Sequence, residues 1–420
     1  MMITSIKQLK NVLIFGTLLM MPYISYALSS QQVSAFSQGV IATDYQVTCD
    51  GKTDDTQAIN TLLNLVQKQT IYFPAGDCLY QGGGLLKDGV TLQGMGKNAT
   101  KIVFTTPNSV GFNVNGYGAG IRSMGFIANT PQTAGSYVVL SGIESFLEDF
   151  FMTGDYNGVL MTGNVARIRH GRFQDGASNA IRIRAEGGDN SQMIDDILMG
   201  AQSPQVSQAG IRVRNSSALI IRDTSVIQQG IGLLIDPYTD NKGSASDAGS
   251  VYSLIVHDSF FDSSNGDGIK IAPTENANVV RSRFSGNWTS SADGNGISIS
   301  NKGSGVISGI QILGNHALLN KKAGILLDGK LQDISIDNAL IGENTVGIVA
   351  QGNIDGLRIT NSTIGIGAGI KPNAQQGIMI DSYPKRIIIA NNDISGNGQP
   401  TKIEIKEQIN IKNNIGIIDK

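Results

Sequence analysis

From about Val90 onward the chain repeats one pattern of apolar and polar positions. A Gly opens a short run in which every second residue is apolar, a variable polar turn follows, and a second apolar run ends near Asn or Asp. The first runs include Gly158-Val159-Leu160-Met161, Ala180-Ile181-Arg182-Ile183, Gly210-Ile211-Arg212-Val213 and Gly232-Leu233-Leu234-Ile235, and they continue to Gly377-Ile378-Met379-Ile380. The second runs include Leu219-Ile220-Ile221, Leu254-Ile255-Val256 and Ile387-Ile388-Ile389. Strict alternation is the signature of a half-buried strand, and helical periodicity is missing throughout. Successive starts lie about 22 to 36 residues apart, the range in which a period means a stacked array. A leucine-rich or propeller repeat would hold its period. A right-handed parallel β-helix keeps its strands and lets its turns vary, and this all-β solenoid is the fold expected over 90–420.

Near the ends of the second runs stand Asp223, Asp258, Asn315, Asn338, Asn361, Asn391 and Asn414. Asn and Asp tolerate left-handed backbone and bond their own turns. Stacked coil on coil, they predict a side-chain ladder. The rest of the chain is expected to divide into a signal peptide, 1–27, and a cap segment with a helix and the first strands, 28–89. Lys7 and Lys10 precede the short apolar run Val12 to Met21, and Ser25-Tyr26-Ala27 offers small residues where a signal peptidase cuts. Cleavage after Ala27 would deliver a secreted or periplasmic protein with no remaining membrane span. The only two cysteines, Cys49 and Cys78, then read as a disulfide formed under oxidising conditions, the alternative being two buried thiols.

Val47 to Ile59 reads VTCDGKTDDTQAI, and Ile71-Tyr72-Phe73-Pro74-Ala75-Gly76 follows. These residues resemble the N-terminal signature of the pectate-lyase-like superfamily, in the branch that groups rhamnogalacturonase, epimerase-like and phage tailspike β-helices. The match covers Asp50-Gly51, Thr53-Asp54-Asp55-Thr56 and Ala58-Ile59, and departs at Cys49, where the family has Gly. The resemblance implies a short capping helix ahead of the solenoid. Thr53, Asp54 or Asp55 can cap such a helix over Thr56 to Gln67, acidic groups suiting its positive end. Particular enzyme motifs are incomplete. Asp195-Asp196 is not followed by the Gly-His-Gly of glycoside hydrolase family 28, Arg169-His170-Gly171 coming before it instead. The Asp-Pro-His-Glu of alginate epimerases is missing, so the fold does not choose the chemistry.

With each strand numbered from its Gly, or from Ala180, positions two and four face outward. That places Arg182, Arg184, Arg212 and Arg214 in one patch on adjacent coils, with Asp236 one coil on and Lys270 beyond it. A formal net charge of −2 gives no reason to expect a nucleic-acid partner. The local arginine patch instead suits the carboxylate or sulfate of an acidic polysaccharide. The alternative is that each Arg is solvated or paired with Glu186, Asp189 or Asp195.

A glycosidase needs two carboxylates, and Asp236 with Glu186 or Asp189 could supply them, Asp236 being held ionised by its guanidinium neighbours. A lyase would use Arg212 or Arg214 to neutralise a uronate. Asp262 and Asp267 are further acids in turns, while His170, His257 and His316 fall away from the patch. No cofactor is implied, no His or Cys spacing marks a metal, and scattered Asp leaves room for Ca²⁺. A glycoside hydrolase or polysaccharide lyase is thus expected. The rival is a non-catalytic glycan-binding or structural β-helix, a monomer or a homotrimer whose seam uses the apolar outward residues Leu326, Val349 and Met379.

Overall fold

Stacked coils, each returning to its start one strand higher, build the whole described chain. The computed structural model describes residues 39–416 except 109, 130–131, 188–190, 201–206, 239–248, 368, 383–384 and 405–408. The expected signal segment 1–27 and Asp189 lie outside the described residues. Thirteen strands form one parallel face, from Gly84–Leu86 to Gln399–Glu404, and a folded parallel sheet of twenty-seven forms the remaining faces. The fold is a parallel β-helix. The only α-helix among the described residues is Thr56–Leu65, two residues shorter than expected.

One coil shows how the chain turns. After Ile269–Ile271 come the strands Asn278–Val280, Arg283–Ser285 and Trp288–Ser290, each followed by a left-handed corner residue, Arg281, Gly286 and Ser291, with φ of 54°, 63° and 55°. Each corner amide donates to the next coil, Arg281 to the Ser308 carbonyl at 2.9 Å and Ser291 to the Leu318 carbonyl at 3.1 Å. A left-handed residue bends the strand without losing its hydrogen bond. Asn and Asp accept that conformation at least cost, and Asp223, Asp258, Asn338, Asn361 and Asn391 fill one corner column with φ between 49° and 58°. Inward residues stack as like on like: Ile269, Ile297, Ile325, Ile348 and Ile378 are in register and essentially fully buried. Branched side chains suit this doubly covered surface.

The expected amide ladder resolves into two neighbouring columns. Asp223, Asp258, Asn338, Asn361 and Asn391 are the corners, whereas Asn315 and Asn414 belong one residue further in, to a buried ladder. There the Ser259 amide donates to Asn287 Oδ1 at 3.2 Å, the Asn287 amide to Asn315 Oδ1 at 2.9 Å, and the Asn392 amide to Asn414 Oδ1 at 3.0 Å. A second ladder, not foreseen, runs through Asn320, Asn344, Asn373 and Asn397, each amide donating to the side-chain oxygen of the next. Both satisfy backbone donors that the turns would otherwise leave buried and unpaired.

At the N-terminal end the motif carboxylates divide the work. Asp54, one residue before the N-cap Asp55, accepts from the Thr56 hydroxyl and amide at 2.5 and 3.0 Å, and those bonds pull its pKa below the usual value. Asp55, fully buried, turns away to accept from the Thr48 and Cys49 amides at 2.7 and 3.1 Å. Cys49 and Cys78 are joined in a disulfide. The parallel ladder already pairs Thr70–Tyr72 with Thr91–Gln93 and Gly84–Leu86 with Phe112–Val114. It crosses residue 89 without a break.

Register corrects one arginine. Ile181 pairs with Asn157 and Ala209, and Ile183 with Val159 and Ile211, so Arg182 stands in the column of Gly158 and Gly210. That column is glycine because coils approach closely there: a Cβ on Gly268 would sit 2.8 Å from the Gly296 carbonyl oxygen. Ala180 had stood in for the missing glycine, which displaced this strand by two residues. Arg182 therefore does not face outward. It is 1% exposed, its Nε and Nη2 donate to the Asp155 carboxylate at 2.9 and 2.7 Å, and Nη2 also reaches the Gln174 carbonyl. Burial pushes the Asp155 carboxyl up, and Arg182 pulls it back.

Two stability outcomes follow from this packing. Arg182→Ala strands a buried carboxylate and should cost about 3–5 kcal/mol, read as a shift in the urea midpoint at unchanged slope. Leu319 occupies a corner at φ 60° while half exposed; Leu319→Asn should raise stability by about 1 kcal/mol in the same assay, because a branched apolar side chain is poorly suited to that backbone.

Candidate functional site

The outward residues of Ile181–Glu186, Ala209–Arg214 and Ile231–Ile235 bring most of the charged candidates together. Arg184 lies beside Arg212, which lies beside Leu234, which lies beside Lys270. In the neighbouring column Glu186 lies beside Arg214, and Asp236 follows on the next coil. Glu186 is therefore a strand residue on the patch itself and not part of an opposing loop. Adjacent coils are about 4.8 Å apart, so the Glu186 and Asp236 stems are separated by about 9.6 Å, with Arg214 between them.

Each acid is held by a guanidinium fork. Arg184 donates through Nε and Nη2 to Glu186 at 2.9 and 2.6 Å. Arg212 and Arg214 converge on Asp236, their Nη2 atoms 2.8 and 2.7 Å from its Oδ2. Arg214 also binds the Asp236 carbonyl at 3.1 Å and lies under the ring of Tyr238, 4.7 Å from its centroid. Three guanidiniums against two carboxylates leave the cluster with one net positive charge, and Lys270 adds another a coil further on. The Asp236 side chain is only 15% exposed. Burial pushes its carboxyl up to about 6, Arg214 pulling against that shift and Glu186 adding to it. Desolvation thus outweighs the pull of the arginine neighbours, although a carboxyl at about 6 still ionises by neutral pH.

A second charged column shows what a purely structural arrangement looks like here. On the folded sheet Arg122, Glu148, Arg169, Asp195 and Arg222 follow one another in register, alternating in sign. Arg169 pairs with Glu148 at 2.6 Å and Arg222 with Asp195 at 2.9 Å. Such exposed pairs each contribute about 0–1 kcal/mol. The Arg184–Arg212 patch breaks that alternation by setting like charges on adjacent coils.

The other candidates serve turns or lie elsewhere. Asp267 accepts from the Asn295 amide and side chain, and Asp262 accepts from Ser290 Oγ at 2.6 Å. His170 faces Asp196 at 3.7 Å and His257 faces Asp258 at 2.8 Å, both on the folded sheet with His316. For a metal, the one trio among the described residues whose ligand atoms could share an ion is Cys49, Asp55 and Cys78, and its two sulfurs are bonded to each other. Two residues of this region escaped the sequence reading. Asp155 sits in a turn with nothing in its neighbours to mark a buried partner. Tyr238, two residues after Asp236 and beside Pro237, was legible only as the start of a long polar insertion.

A scan against protein families matches residues 40–315 to the model described as rhamnogalacturonase A/epimerase, pectate lyase-like. No curated protein sequence matches the chain. Among solved structures, the Dettilon tailspike superposes with a TM-score of 0.64 at 14% identity, covering 83% of this chain and 69% of its own. Tailspike protein 3 of bacteriophage CBA120 gives 0.59 at 15% identity over 93% of this chain, which spans 63% of the tailspike's length. An exopolygalacturonase from Thermotoga maritima gives 0.52 at 13% identity, covering 90% of this chain and 91% of its own. At such identities these neighbours share the fold with this chain. The family match covers well over half of the sequence, and the chain belongs to the rhamnogalacturonase A/epimerase, pectate lyase-like family.

Proposed function

We propose that this protein acts on an acidic polysaccharide laid along its thirteen-stranded face, outside the cell or in the periplasm, where its N-terminal signal would deliver it. One observation carries the reading: like-charged Arg184 and Arg212 lie on adjacent coils, flanked in the next column by two acids whose stems are about 9.6 Å apart. Stacked guanidiniums are favourable where an anion lies across them, and three of the five donors on Arg212 and Arg214 remain beyond the two that grip Asp236. The family's name and the exopolygalacturonase among the structural neighbours agree with a polysaccharide substrate.

The chemistry best supported is hydrolysis with inversion. Carboxylates in that reaction stand about 6.5–9.5 Å apart, leaving room for water on the far side of the sugar. A carboxyl pushed up to about 6 suits the general acid. Asp236 would protonate the leaving glycosidic oxygen while Glu186 takes a proton from the water attacking the anomeric carbon. A lyase is less favoured, because the Arg212 and Arg214 forks that would face a uronate carboxylate are already bonded to Asp236. A second reading has its own support: both carboxylates are fully gripped by forks, an arrangement that binds an acidic glycan without cleaving it.

The purified protein should release reducing ends from at least one uronate polymer, with no unsaturated uronate absorbance and with the inverted anomer appearing first by proton NMR. Asp236→Asn should lower turnover at least about 10²-fold with the fold kept by circular dichroism. Binding that is lost in Arg212→Ala, without any release of reducing ends, would instead establish the non-catalytic reading. The pH profile has a definite sign. The acid must be protonated, so turnover should fall about tenfold per pH unit above about 6.

A further inference from the structure

The folded sheet carries an outward column of a different chemistry. Leu198, Ser225, Phe260, Trp288 and His316 follow one another in register on successive coils. Phe260, Trp288 and His316 form a continuous ring stack, with centroids 6.3 and 5.2 Å apart. Trp288 and His316 are half-buried because each has a ring on both sides or a neighbour above. Phe260 is 49% exposed and Leu198 is 42% exposed. The reason is Ser225, which puts a hydroxymethyl where the column would hold a large side chain.

The result is a slot with one ring wall, one aliphatic wall and a hydroxyl floor. The stems of Leu198 and Phe260 are two coils, about 9.6 Å, apart. Carbon contacts of about 3.5–4.0 Å on each side leave the thickness of one puckered ring between them. Its flanks are acidic. Asp223, at the corner two residues before Ser225, has a 59% exposed side chain, its Oδ2 4.0 Å from Nε of Arg222, whose guanidinium is taken up by Asp195. Asp262 lies two residues beyond Phe260 on the same face, its Oδ1 engaged by Ser290. Carboxylates accept hydrogen bonds from hydroxyls and repel uronates.

We infer that this slot is a binding site for a neutral pyranose, stacked on the Phe260 ring face, with hydroxyls directed to Asp223 and Asp262. It is separate from the arginine face and takes the opposite class of sugar, so it stands whether or not that face is catalytic. A protein with both would hold a mixed or branched polysaccharide by its acidic and neutral residues on two faces of the rod.

Trp288 is the sole tryptophan in the chain and touches the slot's ring wall, so its emission reports on this site. Titration with maltohexaose, cellohexaose and mannohexaose should give a saturable emission change with at least one of them, and trigalacturonate should give none. Ser225→Phe fills the slot while continuing the ring stack. It should abolish the change with the thermal midpoint kept. Phe260→Leu, which retains an apolar side chain and removes the ring face, should weaken the affinity about tenfold. The inference is overturned by the absence of an emission change with all three neutral sugars, by undiminished affinity in Ser225→Phe, or by a response to trigalacturonate in place of the neutral sugars.

Discussion

The coil-to-coil hydrogen-bond register is the constraint from which everything else in this rod follows. A parallel ladder fixes each residue opposite one partner above and one below, about 4.8 Å away. Every chemical type therefore becomes a column, whether isoleucine in the core, glycine at the close approach, asparagine at the corners or arginine outside. A solenoid stabilises itself through nearest-neighbour contacts of this kind. Left-handed corners keep the register intact through each bend, because the corner amide still bonds to the next coil. The inner amide ladders do the same where a turn would otherwise bury unpaired donors.

Register also decides what the outer charges mean. Where signs alternate along a column, as from Arg122 to Arg222, acids and bases pair within it, Glu148 with Arg169 and Asp195 with Arg222. Where like charges meet, as at Arg184 and Arg212, the pairing has to come from the neighbouring column, where Glu186 and Asp236 supply it. Burial adds a further effect. Asp236 sits among arginines and still has its carboxyl raised, because the walls that bring the guanidiniums close also exclude water. Desolvation and pairing come from the same packing and oppose each other.

Alternation along the strands and the recurring glycine made the fold legible in the sequence, since both are repeated on every coil. The capping helix was legible through its motif. Single-coil exceptions were not. Arg182 replaces the glycine that numbers the other coils, so counting from Ala180 placed it outside and put Arg184 two residues too far along. Asn315 and Asn414 lie one residue from the corner column, and Gly314 occupies the corner where Asn315 was expected. Spacing alone could not separate two columns one residue apart. Asp155 carries no local mark because its partner is 27 residues away, and the slot at Ser225 exists only relative to coils on either side.

The buried Arg182–Asp155 pair has a consequence for how such a rod can change its length. Elsewhere neighbouring coils present nearly the same columns to each other, so one coil can be duplicated or lost and the flanking ladders rejoin. Asp155 and Arg182 lie on successive coils, and each is the other's only ion-pair partner among the described residues. A gain or loss of a coil between them would leave two buried charges facing hydrocarbon. This stretch is a fixed joint in a chain that is otherwise free to grow and shrink over evolutionary time, and variation in length among descendants of this sequence should be confined to either side of it.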